Sequence, residues 1–375
     1  MRIVIAGGGI LGTLHAREAI ARGHEVVHLE REPEARGASV RNFGLVWVSG
    51  RAQGPELAAA LRARELWERI GREVPGTGFR ACGSLTVLRT AAELAVAEEF
   101  AAREDAAERS TRLLDATEAQ AVNPALRGDF AGALWCERDA AVEPRVTLPA
   151  VRASLSATGR YTWLPGREVR EVREVAGPSL RDDHGAVHYG DAVFLCTGAQ
   201  LGGLTRILDP EPPVRRVRLQ MMQTEPLDEQ LTTAIADADS LRYYPAYRGP
   251  ALDALTSGQP QPPVAAEHAM QLLMVQRADG SLTIGDTHAY EEPFPFDVTE
   301  EPYGHLRQVI EGILGRPLPP VRRRWAGIYA QCTEPDLLVH RREVAEGTWL
   351  VTGPGGRGMT LSPALAEQTA DLAGL

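Results

Sequence analysis

The sequence contains no lysine: all 40 of its basic residues are arginine. That absence excludes a pyridoxal-phosphate Schiff base, a phosphate-binding P-loop and a lysine nucleophile, each of which needs a primary ε-amine. Cysteine is also scarce. The four present, Cys82, Cys136, Cys196 and Cys332, stand far apart and form no C-x-x-C pair. Reduced, mostly buried thiols are expected from them, and no metal site. A basic excess is missing too: 50 acidic residues leave a net charge of −10, against a nucleic-acid partner. No apolar run approaches the roughly 20 residues needed to span a bilayer, so no membrane partner is expected. The first apolar segment starts at Ile3, leaving no room for a secretory leader, and a cytoplasmic protein is expected.

What is present is ordinary for a globular chain of 375 residues: 44% hydrophobic and 24% charged, enough for two domains or one large elaborated one. Its organising stretch is the first thirty residues. Ile3 to Ala6 reads as a short buried strand, and Gly7, Gly9 and Gly12 then give G-x-G-x-x-G. A helix follows as far as Gly23, and a second strand, Glu25 to Leu29, ends on Glu30. Glycine lets the turn tighten and lets backbone approach a pyrophosphate, the amides of the helix start face it, and Glu30 can accept ribose hydroxyls. Strand, turn, helix, strand and acid fall in register for an adenine dinucleotide.

Further along, residues 31 to 54 read as a loop lying against a large flat ligand, because Phe43, Leu45, Val46 and Trp47 are too apolar for a plain surface loop. Helices are expected over Pro55 to Arg72, Ala91 to Glu108 (a solvated outer element), within Leu113 to Leu126, over Arg145 to Ala157 behind Pro144, and over Tyr303 to Leu314. Strands are expected over Gly83 to Leu88, Leu134 to Cys136, Thr162 to Leu164, Glu168 to Val175, Ala186 to Tyr189 and Ala192 to Cys196. Val217 to Thr224, Leu272 to Gln276 and Ser281 to Gly285 follow, the last after an Asp279-Gly280 turn, and Leu252 to Pro263 reads as an exposed loop. Near the end, a strand at Thr348 to Val351 leads into Gly353 to Gly358 and a final helix. The glycines satisfy G-x-G-x-x-G again, yet no strand follows, so they are read as a backbone surface against the same cofactor.

Gly7, Gly9, Gly12 and Glu30, then Gly37-Ala38-Ser39, Asn42-Phe43-Gly44, Thr197-Gly198-Ala199, Trp325-Ala326-Gly327 and the run Gly353 to Thr360, resemble the D-amino-acid oxidase-like family of FAD-dependent oxidoreductases over nearly the whole chain. The resemblance implies an α/β fold, with a Rossmann-like FAD domain from residues 1–80, 140–215 and 321–375 and a mainly antiparallel substrate-binding cap from 81–139 and 216–320. It implies FAD contacts from Gly7, Gly9, Ile10, Leu11, Gly12, Glu30, Arg31, Ala38, Ser39, Asn42, Gly44, Leu45, Thr197 and Gly198. Val169 would lie near the adenine, and Gly355, Gly356, Arg357, Gly358, Met359 and Thr360 near the flavin's pyrimidine edge. Oxidation of a small amine by hydride transfer to flavin N5 is the implied reaction, with O₂ or another acceptor downstream. The sequence singles out no acid or base for it.

The chain also departs from that family. Tyr329 stands where glycine-oxidase-like members carry a carboxylate-clamping Arg, and Thr360 where sarcosine-oxidase-like members carry a Lys. Tyr329, not Cys332, takes the place of a flavin-linking Cys. These departures bear against an ordinary α-amino acid, against efficient use of O₂, and toward noncovalent FAD. The wording of residues 39–44, 280–288 and 353–360 resembles most a branch associated with aminophosphonate breakdown. A small anionic amine similar to 2-aminoethylphosphonate is then the implied substrate. Arg forks would bind its phosphonate. The candidates are Arg41, Arg242, Arg248, Arg277 and Arg357, with Tyr243, Tyr244, Gln276, His288, Tyr329 and Gln331 as neutral partners. Glycine, sarcosine or a D-amino acid is the alternative substrate, and an NAD(P)-dependent dehydrogenase or a non-catalytic or RNA-modifying flavoprotein remains a rival reading.

Overall fold

The computed structural model describes residues 1–174 and 177–375. Six strands build the first sheet, in the spatial order His340–Ala345, Thr348–Thr352, Ala192–Leu195, Arg2–Ala6, Glu25–Glu30 and Tyr161–Pro165. Neighbours run parallel except the first pair. Successive side chains of a strand point to opposite faces, and here both faces are covered. Ile3 and Ile5 join a core with the helices Ile10–Ala21, Pro144–Ser156 and Gly358–Leu372, while Val4 packs with Val27, Leu180 and Val193 on the other side. That double coverage is why the strand reads as an unbroken apolar run. The three-stranded antiparallel layer on the second face is Val187–Tyr189, Ser179–Asp182 and Val169–Arg173.

The two ends of the chain are joined through the helix Pro55–Glu73 and the final helix. Trp67 Nε1 donates to Met359 O at 2.9 Å, and Arg62 pairs with Glu367 at 2.6 Å. The final helix also packs on the first, with Arg22 paired to Asp371 at 2.7 Å.

An eight-stranded sheet forms the other half, ordered Val321–Cys332, Val214–Pro226, Ser281–Gly285, Leu273–Gln276, Ala234–Ala236, Ser84–Leu88, Gly132–Cys136 and Thr111–Asp115. Only Ala234–Ala236 against Ser84–Leu88 is parallel. Alternation again decides the faces. Met222, Met274 and Ile284 pack against the helix Glu301–Leu314, whereas Leu219, Met221, Leu273 and Tyr329 belong to a core shared with Phe43, Leu45 and Trp47. The second face therefore looks toward the first sheet.

Several expectations change. The strand Val321–Cys332, which the sequence reading did not single out, pairs along Val214–Pro226 with Val217 opposite Tyr329, at the edge of the eight-stranded sheet. Leu252 to Pro263 is not a plain loop: Pro250–Gly258 is a helix burying Leu252 and Leu255. The expected Ala91 to Glu108 helix breaks into Ala91–Ala101 and Glu104–Glu108, and Val96, Ala97 and Phe100 are core. The strand from Glu168 is Val169–Arg173, and its expected end at Val175 lies outside the described residues. Among the described residues no helix is long and apolar enough to cross a membrane, and no group of three or more His, Cys, Asp or Glu could hold a metal ion.

Candidate active site

Between the two sheets lies a cavity of about 1250 Å³. Its nucleotide end is built by the turn after Arg2–Ala6. Gly7 has φ +108°, and a Cβ there would stand 2.2 Å from Cys196 O. At Gly12 a Cβ would meet Gly7 O at 2.0 Å, so this third glycine sets how closely the helix approaches the turn and does not line the cavity. The helix starts at Ile10 with Gly9 as a cap residue that has no side chain. Ser39 Oγ accepts from Ile10 N–H at 2.9 Å, and Thr13 N–H makes the first intrahelical bond, to Gly9 O. The Leu11 and Gly12 amides are left without partners inside the helix, an arrangement suited to a phosphate.

Glu30 ends its strand at the same place. Its two oxygens accept from Gly8 N–H at 2.6 Å and Glu32 N–H at 3.0 Å, which fixes the carboxylate at the cavity wall. Beneath the turn, His28 is buried between Tyr161 OH and Gly7 O, both at 2.9 Å, and burial pushes its pKa down to about 4. Arg31, Ala38, Asn42, Leu45, Val169, Thr197 and Gly198 all line the cavity. The Thr197 hydroxyl is buried there without a hydrogen-bond partner among the described residues. Gly44 does not line it: with φ +71° and a Cβ position 2.2 Å from Val142 O, it serves the turn that Asn42 Oδ1 closes by accepting from Gly44 N–H.

The opposite end is made by residues 355–360, which all line the cavity. Thr360 does not send its hydroxyl into it, since Oγ1 accepts from Trp47 N–H at 2.9 Å and donates to Leu45 O at 3.2 Å. That contact ties the last helix to the loop of residues 45–54. The loop is fixed further by Asp139, which accepts from Val48 and Ser49, and by Arg109, which donates to the carbonyls of both.

The loop delivers a residue that sequence reasoning missed. Arg51 is 6% exposed, lines the cavity and lies over the Tyr244 ring, 5.7 Å from its centroid. Glu56 Oε1 is 3.6 Å from Arg51 and 2.9 Å from Arg357. Burial alone would raise the Glu56 carboxyl, but the two guanidiniums hold it below the usual carboxylate range. Two cations share one anion, so the wall beside Gly355–Gly358 keeps a net positive charge.

From Arg51 an aromatic series runs along the cavity wall. Tyr244 meets Tyr243 edge-on at 5.0 Å, Tyr243 stacks on His288 at 4.5 Å, and His288 on Tyr290 at 6.2 Å, with Arg215 over Tyr290 at 4.3 Å. Tyr329 is buried beside them, its hydroxyl unpartnered among the described residues, and burial raises its pKa and that of Tyr243. A Cβ on Gly356 would lie 3.7 Å from the Tyr329 hydroxyl and 3.8 Å from that of Tyr243. Gln331 lines the cavity as well, with its Oε1 unpartnered. Asp286, the second residue sequence reasoning missed, is buried among these rings, and desolvation pushes its pKa up to about 6.

The remaining arginines divide. Arg41 and Arg248 line the cavity as exposed residues, Arg41 donating to Arg36 O and Ala326 O. Arg242 also lines it but is paired with Asp239 at 3.2 Å and donates to Gln259 O. Gln276 and Arg277 are outside. Gln276 faces a smaller recess and bonds Leu231 N–H and Glu229 O. Arg277 is buried against Phe43 O and Val142 O, where it ties the end of Leu273–Gln276 to the backbone beside the short strands Leu45–Val46 and Ala140–Ala141.

This wall fits the dinucleotide that the sequence implied: a turn that two Cβ atoms would block, an open helix start, a fixed acid and an orphaned Thr197 hydroxyl surround one continuous space. Residues 2–372 match the sequence model of a family described as DAO, FAD dependent oxidoreductase. A glycine oxidase of Pseudomonas aeruginosa is 26% identical over 388 aligned residues, covering 99% of this chain and 94% of that protein. Among solved structures, glycine oxidase from Geobacillus kaustophilus superposes with a TM-score of 0.78 at 19% identity, covering 100% of this chain and 95% of that one. Iminodiacetate oxidase from Chelativorans sp. BNC1 gives 0.76 at 18% identity, with coverage of 100% and 95%.

Proposed function

The chain belongs to the DAO family of FAD-dependent oxidoreductases acting on amines or amino acids, and on that premise we propose that it deaminates a small aminophosphonate, similar to 2-aminoethylphosphonate or its N-methyl or hydroxy derivative. FAD, when bound, supplies the two-electron acceptor for the C–H bond beside the amine. Gly7, Gly9, Glu30 and Ser39 would hold its nucleotide end, and residues 355–360 its ring end.

The observation that carries the substrate reading is the pair of guanidiniums, Arg51 buried and Arg357 half-buried, that share Glu56. Their unbalanced charge suits an anion, and the neighbouring Tyr329 and Tyr243 hydroxyls add donors of the kind a three-oxygen phosphonate can use. The aromatic wall keeps water from the amine and so favours its neutral form, which is the form able to give up hydride. Cys332 and Cys196 are raised by burial, Cys332 to about 11, so neither thiol is a ready nucleophile and the reading keeps FAD noncovalent.

An anaerobic reduction screen tests the proposal. 2-Aminoethylphosphonate and its N-methyl and hydroxy derivatives are expected to bleach the flavin faster than glycine, sarcosine or D-amino acids. A faster rate with glycine or a D-amino acid overturns the phosphonate reading and leaves amine oxidation standing.

A further inference from the structure

We propose that Asp286 receives the substrate's ammonium: its carboxylate, together with Nε2 of His288, holds the cation and takes one proton from it before oxidation. The inference rests on the amine-oxidation reading above and names the acid–base group that reading lacks.

Two acceptors face each other here, with the Gln271 amide beside the carboxylate. The Asp286 side chain is 5% exposed and lines the cavity. Its Oδ1 is buried without a hydrogen-bond partner among the described residues, and Oδ2 is 3.9 Å from His288 Nε2. His288 Nδ1 lies 2.9 Å from Ala269 O, and a carbonyl can only accept, so Nδ1 carries the proton. In the neutral ring Nε2 is then an acceptor turned toward a carboxylate. A buried acceptor left unpaired loses its solvation without a replacement bond. An alkylammonium offers up to three N–H groups and would satisfy both acceptors at once.

The ring of His288 is held by its neighbours: Tyr243 and Tyr290 stack on it, which fixes the direction of Nε2. The groups near Asp286 are Tyr243, Tyr244, Tyr290, Tyr329 and His288, with the neutral Gln271 amide against the carboxylate. Arg51 and Arg215 reach the outer rings of this series, and among the described residues neither pairs with the carboxylate. Apart from His288, whose Nε2 stands 3.9 Å away, no cation pairs with Asp286 among the described residues, whereas Arg51 and Arg357 both meet Glu56.

The step balances within this set. One ammonium N–H bond breaks and one Asp286 O–H bond forms, giving a neutral amine and a neutral carboxylic acid. The freed nitrogen lone pair would then be available to the adjacent C–H bond, for which FAD, when bound, would supply the acceptor of two electrons and a proton. Burial sets the carboxyl near pH 6, so it can act as a base at neutral pH.

The test uses Asp286→Asn in FAD-loaded enzyme. Binding is measured by calorimetry on dithionite-reduced protein, where nothing turns over, with 2-aminoethylphosphonate against ethylphosphonate and glycine against acetate. The amine-bearing member of each pair should bind at least about tenfold more weakly to the variant, while the amine-free member changes less than about twofold. Flavin reduction by the amine should slow by about 100-fold or more. The acid limb of its pH profile, near pH 6 in the parent, should vanish and return in Asp286→Glu. Equal binding of both pairs with an unchanged pH profile overturns the inference. If no amine reduces the parent enzyme, the oxidation reading has failed, and the amine-specific binding ratio still decides whether Asp286 holds the cation. Should Asp286→Asn not retain FAD, His288→Phe removes the second acceptor but keeps the stacked ring. It should weaken the amine-bearing ligands alone, and an unchanged ratio overturns the inference.

Discussion

Arg357 and Arg51 meet the same oxygen of Glu56, at 2.9 and 3.6 Å, while the other oxygen accepts from Ala52 N–H at 3.1 Å. The carboxylate is therefore both a brace for the loop of residues 45–54 and a partial neutraliser of the cavity's positive wall. Glu56→Gln removes the second role at the expense of the first. Breaking a buried ion pair should lower stability by about 3 kcal/mol, read as a fall in thermal midpoint. Ethylphosphonate should nevertheless bind about tenfold more tightly, a gain of about 1.4 kcal/mol from the unbalanced guanidiniums. Weaker binding of the anion would show that Arg51 and Arg357 do not face it.

Backbone approach at the nucleotide turn can be tested by one methyl group. Gly12→Ala would place Cβ 2.0 Å from Gly7 O, whereas Gly37→Ala meets nothing within 4 Å. The first should cost about 1–3 kcal/mol or more and lower the FAD retained on purification. The second should leave both unchanged within error. Absorbance per protein and thermal unfolding check the pair together.

Acid stability follows from two buried imidazoles. Burial lowers both His28, under Gly7, and His15 to about 4, against an ordinary value near 6.5. The unfolded chain thus binds more protons between these values, so stability is complete above pH 6.5 and is lost as pH falls toward 4. Each contributes about 3 kcal/mol over that window. His28→Gln should flatten the fall in thermal midpoint between pH 6.5 and 4; an identical slope would contradict the neutral assignment.

FAD retention separates a covalent from a noncovalent link. Acid precipitation of the purified protein should release the yellow colour to the supernatant, and Cys332→Ser should keep a full complement of FAD. Colour that stays with the pellet, and leaves it in the variant, would identify Cys332 as an attachment point.

The nucleotide turn was legible because its requirements are local: glycines, a helix start and an acid at the end of the next strand occur within thirty residues. The pocket was legible only in part. Gln276 and Arg277 looked equivalent to their neighbours in sequence, but Leu273 and Val275 face the cavity-side core, so strand alternation turns Gln276 to the other recess. Arg51 carried no signal, since its position depends on Asp139 and Arg109, about 90 and 60 residues away along the chain, bonding the loop that bears it. Asp286 follows the strand Ser281–Gly285 with no local pattern to mark it as buried, and Tyr243, Tyr244 and Tyr329 reach it from other elements. The strand Val321–Cys332 escaped notice because it lies at the sheet edge, where Arg322, Arg323 and Arg324 are exposed and mask the alternation.

A single-turnover experiment under argon addresses amine oxidation itself. Mixing the FAD-loaded protein with excess 2-aminoethylphosphonate should bleach the flavin and yield one carbonyl product and one ammonia per flavin reduced. A flavin that keeps its colour with every amine offered, yet is bleached by NADPH, would contradict the account.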